Sequence, residues 1–363
     1  MNAMDSWLYG GDPLMYIKYE KAIENVKKAL TTNHFEKLIE KYLLNNTHSS
    51  MLILSPQKGL ADKEDSELRE KLEKYKSNLN DKEIDAVLIC SATHTHSPIS
   101  IEAIKAGKHV FCEKPIDHDI ERIQDVMREL ENSNVKYQVG FNRRFDHNFM
   151  AAKDAVESGK IGDINIIKIT SRDPEAPPVS YVKVSGGMFL DMTIHDFDMV
   201  RYLSGSEVEE VYAMGAVLVN EEIGKAGDVD TAVITMKLAN GALAVIDNSR
   251  EACYGYDQRA EVFGSKGCVS VGNDTNSTAI ISNKDGVAGE KPLYFFLQRY
   301  MQAYANEVSQ FVDAIVNDTD VPVGVIDGLN PVLIGLAAQK SLRENRTVKI
   351  SEISVQEAVN TLA

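Results

Sequence analysis

Cysteine is scarce and poorly spaced for chemistry. Among 363 residues, Cys90, Cys112, Cys253 and Cys268 form no C-x-x-C pair, so neither a disulfide scaffold nor a cysteine metal site is expected. Cys90 and Cys112 end apolar runs (Val-Leu-Ile-Cys and Val-Phe-Cys), where a reduced, buried thiol is the expected state. Basic charge is also short: 39 Lys and Arg stand against 54 Asp and Glu, a formal charge of −15. A nucleic-acid binder needs a basic face, so no nucleic-acid partner is expected. No run reaches the roughly 18 to 20 apolar residues of a membrane span. No basic segment leads into an apolar one at the N terminus. No membrane partner is expected, and the cytoplasm is the expected location.

What is present is an ordinary globular mix, 44% hydrophobic and 26% charged, enough for a sizeable core. Residues 1–84 read differently from the rest. Tyr19, Ile23, Val26 and Leu30, then Phe35, Leu38, Ile39 and Tyr42, recur at helical spacing and predict two amphipathic helices broken near Thr31-Thr32-Asn33. Met51–Leu54 reads as a short strand stopped by Pro56, and Lys63–Lys76 as a charged helix. That strand and helix could pair with the next strand, since a parallel crossover needs about a dozen residues or more.

From Asp85 the rhythm is strand, helix, strand. Ala86–Cys90, His109–Cys112 and Tyr137–Gly140 read as parallel strands, the first with both faces buried, joined by helices from Ser97 and over Asp119–Glu131. Beyond Asn148, β-branched alternation near 163–171, 208–219, 230–238, 242–249, 259–264 and 267–271 predicts a mostly antiparallel sheet. Helices near 190–204, 296–317 and 328–343 should pack against it. The expected fold is α/β plus α+β: an incomplete Rossmann-like parallel sheet (85–148), then an α+β domain with a large, mostly antiparallel open sheet (149–363).

Three motifs carry chemistry. In Gly186-to-Asp196, Asp191 and His195 stand four residues apart, one turn apart on a helical face. A carboxylate beside an imidazole suits a general base, although an N-terminal helix acid and a core histidine would give the same spacing. Lys114, in Glu113-Lys114-Pro115, ends a parallel strand, where open α/β sheets place ligands. A lysine there can favour developing alkoxide character, or be a solvated loop residue. Ser91-Ala92-Thr93-His94-Thr95-His96 ends the preceding strand. His94 and His96 lack a third metal ligand by spacing, and a turn packed against a nicotinamide or ribose fits better.

With Ala106-to-Pro115 and Gly140-Phe-Asn-Arg-Arg-Phe145, these runs over 85–351 resemble the glucose–fructose oxidoreductase/inositol dehydrogenase (Gfo/Idh/MocA) family, in its inositol 2-dehydrogenase branch. The resemblance implies hydride transfer from a cyclitol or sugar CH–OH to NAD, with NADP open. It implies a polyol substrate such as myo-inositol and a homo-oligomer, dimer or tetramer. It gives Lys114, Asp191 and His195 catalytic roles, His195 as base and Asp191 orienting it. Arg144, Asp173 and Tyr254 become substrate contacts, although Arg144 and Asp173 could pair as a salt bridge and Tyr254 could be packing. Ser91, Thr93, His96, Glu113 and Lys114 become cofactor contacts, and no metal is implied.

The family's opening Gly-x-Gly-x-x-Gly turn, which brings backbone N–H groups to the pyrophosphate, is absent. Gly10-Gly11 has no third glycine, and Gly59 stands alone. Instead, Trp7-to-Leu14, Phe35-to-His48 and Ser50-to-Pro56 resemble an internal segment of presequence-protease-type zinc metallopeptidases. The inverted zinc motif H-x-x-E-H occurs nowhere, so no peptidase activity is expected. The chain therefore reads as a chimera joined near Asp85, with NAD bound weakly or not at all. The alternative is a catalytically inactive polyol-binding or oligomeric scaffold protein.

Overall fold

The structure is a computed structural model that describes residues 20–44, Ser66, Glu70, Lys71, Lys74 and residues 84–353. The chain divides into two compact units, Met1–Asn78 and Leu79–Ala363. In the first, α1 (Glu20–Leu30) and α2 (His34–Ile39) are separated as the spacing predicts. The hydroxyls of Thr31 and Thr32 donate to the carbonyls of Lys28 and Ala29 and so close α1. The expected strand Met51–Leu54, its pairing, and both glycine sites lie outside the described residues. Of the expected charged helix, Ser66, Glu70, Lys71 and Lys74 are described, all helical.

The second unit opens with β1 (Ala86–Ile89), α3 (His96–Lys105), β2 (His109–Glu113), α4 (Ile120–Glu131) and β3 (Tyr137–Gly140). These strands form a parallel sheet in the order β1-β2-β3. Val110, Phe111 and Cys112 on the middle strand are buried, as are Ile120, Ile123 and Val126 along one face of α4. Asp119 starts α4 by accepting the N–H of Glu121 at 2.9 Å. One expectation fails here. On β1, the outer strand of the three, Leu88 is 51% exposed and Cys90 is exposed rather than buried. Among the described residues, the continuous apolar run belongs to a strand covered on one face only.

The chain continues through α5 (His147–Glu157), β4 (Ile164–Arg172), α6 (Val179–Ser185), α7 (Ile194–Ser204), β5 (Val208–Ala216), α8 (Glu221–Lys225), β6 (Thr231–Leu238), β7 (Leu243–Ser249), β8 (Asp257–Gly264) and β9 (Gly267–Val271). It closes with the hairpin β10 (Ile280–Asn283) and β11 (Gly286–Gly289), then α9 (Phe296–Arg299), α10 (Met301–Val316), α11 (Val325–Glu344) and β12 (Val348–Lys349). The large sheet has the order β12-β5-β6-β7-β4-β8-β9, antiparallel except for β4 beside β7. Ala232, Ile234, Met236 and Leu238 of β6 face the core, while Val233 points the other way and is exposed. Helices α7 and α11 pack on the covered face. The other face is open, with Ile166, Met214, Leu243 and Phe263 also exposed. No helix among the described residues is long and apolar enough to cross a membrane.

Candidate active site

Two glycines set up the site. Gly186 and Gly187 both have positive φ (87° and 73°) and turn the chain sharply after α6. At Gly187 a Cβ would lie 2.9 Å from Asp228 Cγ, and Asp228 accepts the N–H of Met188 at 2.9 Å. A widened helical turn, Met188–Met192, follows with Met188, Phe189, Leu190 and Met192 buried. Gly335 of α11 supports it from behind, where a Cβ would meet Leu190 Cδ2 at 2.6 Å. Asp191 is thereby turned into a cavity of about 510 Å³, shared with Lys114, Asp173, His195, Arg250 and Tyr300.

Lys114 reaches the cavity from the end of β2. Its Nζ donates to the Asp191 carbonyl at 2.8 Å and lies 3.6 Å from Asp191 Oδ1. Tyr181 donates to the same Oδ1 at 2.9 Å, and Arg250 to Oδ2 at 3.0 Å. Burial would raise the Asp191 pKa, but the charges of Lys114 and Arg250 outweigh it and hold the carboxyl below its usual range. His195 lies in the first turn of α7 and is edge-on to Phe141, ring centroids 6.1 Å apart. Burial, then the charges of Lys114 and Arg143, push its imidazole well below the ordinary value. It is neutral near pH 7, and its buried Nδ1 has no hydrogen-bond partner among the described residues.

The expected orientation of His195 by Asp191 is corrected. Asp191 lies in the wide turn and not on the helix that carries His195, so the simple four-residue spacing fails. Its carboxylate accepts from Tyr181 and Arg250 and faces Lys114, and no hydrogen bond joins it to His195 among the described residues.

Asp173, just beyond β4, does line the cavity and faces Arg250 Nη1 at 3.4 Å. Burial pushes it up to about 6, against the opposing charge of Arg250. Arg144 does not reach the cavity. It donates to Asp198 at 2.8 and 2.6 Å and to Asp327 at 2.9 Å, so the alternative, an Arg144–Asp173 pair, does not form either among the described residues. Its neighbour Arg143 lines the cavity instead, fixed to Asp196 at 2.5 Å. Tyr254 is likewise displaced: it is partly exposed, donating to Asp257 at 2.6 Å and accepting from Arg172 at 3.0 Å, while Tyr256 lines the cavity.

Of the expected cofactor contacts, Ser91 is exposed with its Oγ 2.5 Å from Thr95 Oγ1, and Thr93 is half-buried in the same turn. Glu113 is half-buried beside Gly140, and burial raises its pKa. His96 is corrected to a brace. It is buried, with Nδ1 2.8 Å from the Pro115 carbonyl and Nε2 2.9 Å from that of Ser91, leaving neither nitrogen for a ligand. Arg250, Arg143, Tyr181, Tyr256 and Tyr300 were not singled out from sequence. Two of them lie one or two positions from residues that were, but Arg250 sits in no motif.

An open parallel half-sheet delivers a lysine to a cavity shared with a half-buried histidine, beside a large mixed sheet, and this frame is that of an oxidoreductase class. The oxidoreductase family with an NAD-binding Rossmann fold matches residues 30–141, and the Gfo/Idh/MocA C-terminal domain matches residues 149–270. The chain belongs to the Gfo/Idh/MocA family. It is 50% identical over 304 residues to a myo-inositol 2-dehydrogenase of Thermotoga maritima, covering 81% of this chain and 91% of that one. Among solved structures, the scyllo-inositol dehydrogenase of Lactobacillus casei with bound NAD(H) and scyllo-inositol superposes with a TM-score of 0.69 at 36% identity. That match covers 74% of this chain and 81% of the other. A match of another kind is Protein HypA of Clostridium perfringens, 48% identical over 88 residues, 24% of this chain and 9% of that protein.

Proposed function

We propose that the chain is an oxidoreductase of the inositol 2-dehydrogenase type, acting on a ring CH–OH of a cyclitol such as myo-inositol. The observation that carries this reading is the cavity that gathers Lys114, Asp191 and an uncharged His195. His195 takes the hydroxyl proton, for which a neutral imidazole is the competent form. Lys114 donates to the hydroxyl oxygen and favours its alkoxide character as the carbon loses hydride. Asp191 holds the ammonium in place, and Asp173 accepts from a further hydroxyl. The carboxyl ends of β1 and β2 supply Ser91, Thr93, Glu113 and Lys114 on the nicotinamide side of a cofactor. When bound, NAD supplies the hydride acceptor.

Affinity for NAD is the weak point of this chain. No Gly-x-Gly-x-x-Gly precedes β1 in the sequence, so backbone groups that would bind the pyrophosphate are lost. We read residues 1–84 as a foreign segment of metallopeptidase type, on the runs Trp7-to-Leu14, Phe35-to-His48 and Ser50-to-Pro56. The same lack favours a second reading, a polyol-binding protein without turnover. Mixing the chain with myo-inositol and NAD and following reduced nicotinamide by absorbance separates them. Turnover that disappears in His195→Ala supports the enzyme. No turnover with a polyol-induced rise in melting temperature supports the binder.

The open sheet face, with Ile166, Met214, Val233, Leu243 and Phe263 exposed, supports a homo-oligomer assembled through that face. Sedimentation showing a monomer would refute it.

A further inference from the structure

Arg250 follows β7 and is buried in the cavity wall, only 4% exposed. Its guanidinium joins two carboxylates that come from distant parts of the chain. Nη2 donates to Asp191 Oδ2 at 3.0 Å, and Nη1 to Asp173 Oδ2 at 3.4 Å. The other oxygen of Asp191 accepts from Tyr181 at 2.9 Å and faces Lys114 Nζ at 3.6 Å. Asp191 is thus held from both sides, and the ammonium of Lys114 does not carry its charge alone. A rigid planar fork with several donors can bridge two acceptors in this way.

We propose that Arg250 is a positioning residue for polyol recognition, spacing Asp173 and Asp191 and keeping both as acceptors for neighbouring hydroxyls of the substrate. This rests on the polyol reading of the cavity given above. An ionised carboxylate only accepts, and its two oxygens can take the O–H groups of adjacent ring positions. A protonated one surrenders part of that capacity.

Asp173 is the member that depends most on the bridge. It is faced by Arg250 after β7, Asp191 before α7, Arg143 after β3, Tyr181 on α6 and Tyr256 before β8. Burial pushes its carboxyl up to about 6, and Arg250 is the largest influence in the other direction. Removing the guanidinium therefore moves Asp173 further up, toward the protonated form at neutral pH.

The test is calorimetry of myo-inositol binding to the full chain with NAD present, from about pH 5 to 8, in wild type, Arg250→Leu and Arg250→Lys. Wild-type affinity should fall as pH drops through about 6. Arg250→Leu should bind at least ~10-fold more weakly, with that fall moved up by roughly one pH unit. Arg250→Lys should restore most of both. Unchanged affinity and an unchanged pH midpoint in Arg250→Leu overturn the proposal. Carbon-13 NMR of the Asp173 carboxyl in the ligand-free chain reads the same midpoint without a polyol. If no variant binds myo-inositol, the polyol reading has failed; if the Asp173 midpoint stays in place in Arg250→Leu, the role of Arg250 has failed.

Discussion

At the scale of single residues, the chemistry is governed by burial more than by partner choice. His195, half-buried with its Nδ1 out of reach of solvent, is held toward the uncharged form by desolvation and by two cations, Lys114 and Arg143, not by a carboxylate. Glu307 of α10 gives this control a stability signature. Burial, then the charge of Glu113, pushes its carboxyl from 4.5 to about 9, so it is a neutral acid inside the folded chain at pH 7. The folded pKa lies above the unfolded one. The contribution is therefore fully present below about 4.5 and lost as pH rises through about 9. Wild-type stability against urea should decline across that window, and Glu307→Gln, neutral throughout, should flatten the decline. A parallel decline in both proteins would contradict this origin.

Motifs made Lys114, Asp191 and His195 legible because each stands in a run with fixed neighbours. They did not reveal which of two adjacent side chains faces the cavity. In the short turn Asn142–Phe145, a shift of one residue exchanges Arg143, which lines the cavity, for Arg144, which pairs with Asp198. The same problem separates Tyr254 from Tyr256. Arg250 was illegible for another reason. Its meaning comes from Asp173 and Asp191, which only the fold brings to it.

At the scale of elements, alternation made the large sheet readable: β4 to β9 fall within a few residues of the expected stretches because one face is covered and the other open. The hairpin β10–β11 escaped notice, since its short strands are exposed on both sides and carry no burial pattern. The most demanding element is the turn at Gly187, with φ 73° and ψ −165°. Gly187→Ala should cost about 1–3 kcal/mol, lower the melting temperature by a few degrees, and reduce turnover by displacing Asp191. Gly272→Ala is the control, because nothing lies within 4 Å of its added Cβ. Equal melting temperatures for the two variants would show that the turn tolerates a side chain.

At the scale of the whole molecule, the proposal separates the reacting groups from the means of holding the cofactor. The described half-sheet delivers Lys114 to the cavity that Asp191 and His195 also line. The sequence before β1 offers no glycine turn for the pyrophosphate. A charge-assisted hydrogen bond to a pyrophosphate is worth about 1.5–3 kcal/mol, and each 1.4 kcal/mol is about tenfold in affinity. The deciding measurement is the calorimetric affinity of the full chain for NAD, taken beside the Thermotoga maritima relative under identical conditions. A dissociation constant roughly 100-fold or more above the relative's, or no detectable heat, is expected. Equal affinity in the two proteins would contradict it.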